Sequence, residues 1–312
     1  MEEKSKVLII GSTGNLGYHL AIFSLKCSHP TFLLVRESAL DDPIKAQKLQ
    51  FLTNGGATVI KGSLQDENVL VEAVKQVDIV ICSIPSKQAD EQKLLIKAIK
   101  QAGSSIKRFI PSEFGADPDR TQISGMDYGF YSRKAEIRRL IEAEAIPYTY
   151  VCNNLLMSCL LPSLVQPGLK SPPRDRVTIF GNGDVKGGIS VFVKEEDVAA
   201  FTMRTVDDPS TLNKVLYLRP PGNVVSMNEL VGMWESLTGT NVEKRYVSEE
   251  QMLNQIKETP YPGNMQLIFI YSVFVKGDHT YYEIDPSSGF EGSQLYPEVR
   301  YTTVEECLST LL

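Results

Sequence analysis

The chain has 312 residues, 42% of them hydrophobic, with 38 acidic and 32 basic side chains for a net charge of −6. That is enough apolar material to bury a full core, and it is the wrong sign of charge for neutralising phosphates along a nucleic acid, so DNA and RNA are excluded as partners. No stretch approaches the roughly 18 consecutive apolar residues of a spanning helix, and no membrane association is expected.

Lys6 runs directly into Val7-Leu8-Ile9-Ile10, which leaves no room for a targeting peptide ahead of the first strand. Five scattered cysteines suit a reducing compartment, and a cytoplasmic protein is expected. Three histidines without ligand spacing, and no C-x-x-C motif, point to no metal.

The first half alternates short β-branched runs with segments of helical period, the pattern that lays helices on both faces of a parallel sheet. Strands are expected at 7–10, 31–36, 57–61, 78–82 and 108–111, each a nearly continuous apolar run suited to burial on both faces, with a sixth at 148–151. Helices are expected at 15–27, 44–54, 66–76, 88–102 and 130–144, with Asn54-Gly55-Gly56 and Ala102-Gly103 as stops. The expected class is α/β, a Rossmann-type doubly wound parallel sheet over 1–153. Beyond it Pro162, Pro167, Pro172 and Pro173 interrupt any helix and mark a smaller α/β region, 154–312, some of whose segments are free to return to the sheet. Helical period resumes there at 194–206, 226–237, 248–257 and 264–274, and a short apolar segment, 304–312, closes the chain.

Gly11-Ser12-Thr13-Gly14-Asn15-Leu16-Gly17 joins the first strand to the first helix, the context in which a glycine triplet carries meaning. Gly11 suits the tight turn, Gly14 the close approach of a pyrophosphate to the backbone, and Gly17 close packing of helix on strand. The helix N-terminus offers free N–H donors and a partial positive charge to the anion. At the end of the second strand stands Arg36, whose guanidinium suits the 2′-phosphate of NADPH, followed by Glu37, which could take a ribose 2′-hydroxyl instead. NADPH is the expected cofactor. Lys45 and Lys48 both stand close enough in sequence to add charge, although a surface lysine is the more ordinary reading of either.

In the helix at 130–144, Phe130, Lys134, Ile137 and Ile141 recur at helical spacing and share one face. A lysine inside an apolar stripe either snorkels its ammonium to water or presents it to a cavity, where desolvation lowers its pKa and suits it to proton transfer. Arg133, Arg138 and Arg139 fall off this stripe and read as a solvated face. A Tyr-x-x-x-Lys pair is absent, because Phe130 stands four residues before Lys134 and Tyr131 three.

Several longer segments sit beside these features: Val77 to Ile81, Ile106 to Gly115 with its Pro111-Ser112-Glu113-Phe114-Gly115, Ile146 to Val151, Leu218-Arg219-Pro220-Pro221 and Leu295-Tyr296-Pro297. Together the chain resembles, over essentially its whole length, the plant isoflavone, pinoresinol–lariciresinol, phenylcoumaran benzylic ether and leucoanthocyanidin reductases and eugenol synthases, an atypical branch of the short-chain dehydrogenases. The resemblance implies an NADPH-dependent oxidoreductase acting on a small phenolic substrate, a monomer or homodimer, with Lys134 as general acid/base. It also implies that Asn154 lies near the nicotinamide, that Arg36 reads the 2′-phosphate, that Thr13, Asn15 and Leu16 wrap the pyrophosphate beside the glycines, and that Ser83 and Gln92 contact the cofactor. Departures at Asn15, Ala116, Leu156 and Ile270-Tyr271-Ser272 argue against leucoanthocyanidin reduction. A regulatory protein that binds NADPH without turnover is the competing reading, and the intact Lys134 argues against it.

Overall fold

Val7–Ile10 (β1) is buried along its whole length, and the computed structural model, which describes residues 3–103, 106–184 and 189–312, builds outward from it. On one side it pairs in parallel with Thr31–Val35 (β2), and β2 with Thr58–Lys61 (β3). On the other it pairs with Ile79–Cys82 (β4), and β4 with Arg108–Ile110 (β5), giving the order β3-β2-β1-β4-β5. Burial on both faces holds for β1 and β4, whose every residue is buried. It fails for β3, which has only exposed and half-buried residues because it forms the sheet's outer edge.

The connections are helices: Asn15–Lys26 (α1), Pro43–Asn54 (α2), Glu67–Val74 (α3), Gln92–Gln101 (α4) and Phe130–Ala143 (α5). Local chemistry sets their starts. Asp42 accepts from the Ile44 and Lys45 N–H groups with Pro43 at the first helical position, and Asp66 caps α3 through Val69. The expected start of α4 near residue 88 is a 3₁₀ turn, Ser86–Glu91, and the α-helix begins after it. Alternate strand residues face opposite cores. Leu8, Ile10, Val80 and Phe109 pack with Leu70, Leu95 and Ile137 from α3, α4 and α5, whereas Val7, Ile9, Leu33 and Ile81 pack with Leu20 and Leu52 from α1 and α2. This is a doubly wound Rossmann-type sheet.

The sheet does not stop at β5. One parallel bridge, Phe109 to Tyr148, leads to Thr149–Cys152 (β6). Later strands are Leu155–Leu156 (β7), Arg176–Phe180 (β8), Ile189–Val193 (β9), Lys214–Tyr217 (β10), Val224–Ser226 (β11), Glu243–Val247 (β12) and Gly289–Glu291 (β13). Of these, β10 pairs in parallel with both β6 and β13, so the second half returns strands to the same side of the molecule. The others form small sheets, β9 with β7 and β11, and β8 with β12. Helices between them are Met157–Leu160 (α6), Glu195–Thr205 (α7), Met227–Thr238 (α8), Glu249–Glu258 (α9) and Met265–Ile270 (α10), and Gly292–Leu295 (α11) follows the last strand. Capping boxes on Ser226 and Ser248 start α8 and α9, and the closing apolar segment proves to be a helix, Val304–Ser309 (α12), started by a third box on Thr303. Among the described residues no helix is long and apolar enough to cross a membrane.

Candidate active site

Past β1 the chain turns at Gly11 with φ of +87°, and a Cβ there would lie 2.0 Å from the Ser83 carbonyl oxygen, so only glycine fits. The Gly14 N–H closes this turn on the Gly11 carbonyl at 2.9 Å, and α1 starts at the next residue. A Cβ on Gly17 would lie 2.1 Å from the Gly11 oxygen. The third glycine therefore lets α1 lie against the turn itself, where helix against strand was the expected contact.

Over the ends of β1, β2 and β4 opens a cavity of about 220 Å³, lined by Gly11, Ser12, Thr13 and Gly14, by Arg36 and Lys45, by 62–65 after β3 and by Ser83, Ile84 and Pro85. The C-terminal edge of a parallel sheet is where such folds take ligands. Two features suit a phosphate-bearing one. The Ser12 hydroxyl is buried with no partner, and the first N–H groups of α1 have no intrahelical acceptor. Of the residues singled out in the sequence, Gly11, Thr13, Gly14, Arg36, Lys45 and Ser83 meet in this cavity, and Glu37 does not line it.

The others lie elsewhere. Asn15 donates its amide to Glu195 at 2.8 Å and to Ser158 at 3.3 Å, whereas the Leu16 side chain is buried in the core beneath α1. Gln92 is buried and accepts from the Ser112 N–H at 2.7 Å, bracing the end of β5. Lys45 lines the cavity while paired with Asp42 at 2.8 Å, and Lys48 donates to the Thr13 carbonyl at 3.4 Å.

Lys134 lies on the inner face of α5, only 4% exposed. Its ammonium does not reach water. It donates to the Glu113 main-chain carbonyl at 2.5 Å and stands 4.9 Å from the centre of the Phe130 ring. Burial pulls its pKa down to about 8, against the charge of Glu113, which raises it. Tyr131 is also buried, and burial pushes its hydroxyl up, away from any ready loss of its proton. Asn154 follows β6 with φ of +63°, its N–H donating to the Gly115 carbonyl at 2.9 Å and its amide to the Leu218 carbonyl at 2.9 Å.

Arg138 corrects the expectation of a solvated face. It is 2% exposed, and its guanidinium bonds Glu113, Asp117 and Asp119. Burial pulls its pKa down, and the facing carboxylate of Glu113 outweighs that and holds it well above the ordinary value. Arg133 is half-buried and Arg139 is exposed, as a solvated face requires of the latter. Glu113 and Asp117 carry no signal in sequence periodicity. The one available clue is that Arg138 stands four residues after Lys134 and so one turn along the same side of α5.

The chain matches the model of the NmrA-like family over residues 3–308. It is 58% identical over 311 residues to a probable pinoresinol-lariciresinol reductase of Arabidopsis thaliana, covering 100% of this chain and 99% of that protein. It is 52% identical over 306 residues to a phenylcoumaran benzylic ether reductase of Ginkgo biloba, covering 98% of each. Among solved structures, that of AtPrR2 with NADP+ and (+)-pinoresinol superposes with a TM-score of 0.93 at 36% identity, covering 100% of both chains.

Proposed function

The chain belongs to the NmrA-like family, and on that premise we propose that it is an NADPH-dependent reductase of phenylpropanoid-derived substrates with Lys134 as general acid/base. The substrate class is isoflavonoid, lignan or phenylpropene in type. The 154–312 region supplies its binding side.

The cavity suits the cofactor. Its orphaned Ser12 hydroxyl, the free N–H groups at the start of α1 and the turn that only Gly11 can make would hold the pyrophosphate, and Arg36 would take the 2′-phosphate. Thr13, Gly14 and Ser83 complete that wall; Asn15, Leu16 and Gly17 contribute through the backbone at the start of α1, and Gln92 and Asn154 by bracing the loops after β5 and β6. NADPH bound there supplies a hydride.

Lys134 does the proton work. The observation that carries this reading is a buried ammonium fixed on a main-chain carbonyl, with a pKa near 8, on a helix that lacks a tyrosine four residues earlier. An amine of that basicity releases and regains a proton near neutral pH, which general acid/base catalysis requires. Taking the proton of a substrate phenol turns the ring into an electron donor that can expel a benzylic or allylic leaving group, and the carbon so opened accepts the hydride. Hydride addition restores the ring as a phenolate, to which the same amine returns the proton, while the leaving group departs as its anion.

Turnover of NADPH with a panel of phenolic substrates tests this on Lys134→Ala and Lys134→Arg. General acid/base catalysis contributes roughly 10²–10⁴-fold, so kcat should fall by about that much in both, because arginine keeps the charge and does not release its proton. NADPH affinity should change far less. Substantial turnover by either folded variant would return Lys134 to a structural role.

A further inference from the structure

Lys134 and Arg138 stand one turn apart on α5, and both hold the same residue. Lys134 takes the main-chain carbonyl of Glu113 at 2.5 Å, while Arg138 grips its carboxylate with Nε to Oε1 at 2.7 Å and Nη2 to Oε2. Glu113 is thus pinned at two points to one helix and cannot drift relative to the ammonium.

The fork is itself held from two other elements. Its Nη1 donates to Asp117 at 2.7 Å, and Tyr217 of β10 donates to the other oxygen of Asp117 at 2.6 Å. Its Nη2 faces the Cys152 sulfur of β6 at 3.3 Å. Arg138, Glu113 and Asp117 are all buried, so one guanidinium meets two interior carboxylates, with the buried Lys134 ammonium beside them as the second cation. Such a cluster is expensive to desolvate, and replacing it by apolar side chains is often neutral or stabilising, so stability alone is a weak reason for it.

We propose that Glu113 and Arg138 are positioning residues for the proton chemistry: the Glu113 carbonyl aims the Lys134 amine, and the carboxylate, fixed by Arg138, supplies the negative potential that holds its proton. This rests on the reading of Lys134 as the proton carrier. The charged and titratable groups facing Lys134 are Glu113 from the loop after β5, Arg138 on its own helix and Cys152 from β6. Burial pushes the Cys152 thiol well up, so it stays neutral and the balance lies between Glu113 and Arg138. Burial acts in the same direction as Arg138, and together they outweigh Glu113 and pull the ammonium down to about 8.

The test follows the Lys134 ammonium by NMR of its Cε in lysine-labelled full-length protein, assigned by its loss in Lys134→Arg, with no substrate present. A neighbouring opposite charge moves a titration by about 1–3 pH units, so Glu113→Gln should lower the midpoint by about one unit, and Asp117→Asn by less. Loosened packing does the opposite, because water admitted to the site returns a lysine toward its ordinary range. A rise or no change in folded Glu113→Gln overturns the proposal; if that variant does not fold, a rise or no change in Asp117→Asn does so. The readout is independent of turnover. A lowered midpoint together with an active Lys134→Arg would keep the positioning and discard the proton-carrier reading, and the reverse pair of results would do the converse.

Discussion

Arg36 is exposed at the end of β2, lines the cavity, and among the described residues forms no ion pair, so its guanidinium is free for a ligand. Charge-assisted hydrogen bonds of this kind contribute about 1.5–3 kcal/mol, so Arg36→Ala should weaken NADPH binding roughly 10- to 100-fold and leave NADH nearly unchanged. Titration of both cofactors checks this, and equal losses would mean that Arg36 supports the loop instead. Its place was legible because strand period and the glycine loop together locate the end of the second strand. Arg138 was not legible. Its spacing from Lys134 puts it beside the stripe, but a charged residue enters a core only when partners wait there, and Glu113 lies 25 residues away in sequence.

At the level of elements, the glycine loop and α1 behave as one unit, since Gly17 rests on the turn that Gly11 makes. A methyl at Gly17 would sit 2.1 Å from a backbone oxygen that cannot rotate away, whereas one at Gly14 would meet the same oxygen at 3.2 Å. Gly17→Ala should therefore force α1 off the turn, costing about 1–3 kcal/mol in stability together with NADPH affinity. Gly14→Ala should spare most of the stability. Thermal melts and NADPH titration on the two variants separate them, and equal melting temperatures would refute the close approach at Gly17. The helices of the first half stood out because each spans two or more turns of regular apolar spacing. The strands β8 to β13 did not, since they do not alternate with helices at regular spacing as the strands of the first half do, and β8 at Arg176–Phe180 finds its partner β12 at Glu243–Val247 far along the chain. Nothing local in such short runs announces the pairing.

Across the whole molecule, β6 and β10 carry the parallel order from the first half into the second, and Arg108 of β5 ties the halves by donating to Thr211 at 2.6 Å and to the Asp208 carbonyl at 2.7 Å. The alternation of strands and helices made the doubly wound class legible from the start, while these long-range ties depend on side chains about 100 residues apart. Acid stability should depend on another such tie. His279 is 1% exposed, and its Nδ1 faces the Val191 N–H of β9 at 3.2 Å, a bond it accepts as the neutral ring. Burial, helped by the charge of Arg219, lowers its pKa to about 3. A base whose folded pKa is depressed binds its proton first in the unfolded chain. Its contribution is therefore complete above the unfolded value of about 6.5 and is lost as the pH falls from there toward about 3, at up to about 1.4 kcal/mol per pH unit. Melting temperatures taken between pH 6.5 and 5, above the range where most carboxylates titrate, should fall for the wild-type protein. In His279→Gln the amide oxygen can still accept from Val191 and nothing titrates at that position, so the slope should flatten even if the variant starts from a lower melting temperature. A slope as steep as that of the wild type would show that the acid sensitivity arises elsewhere.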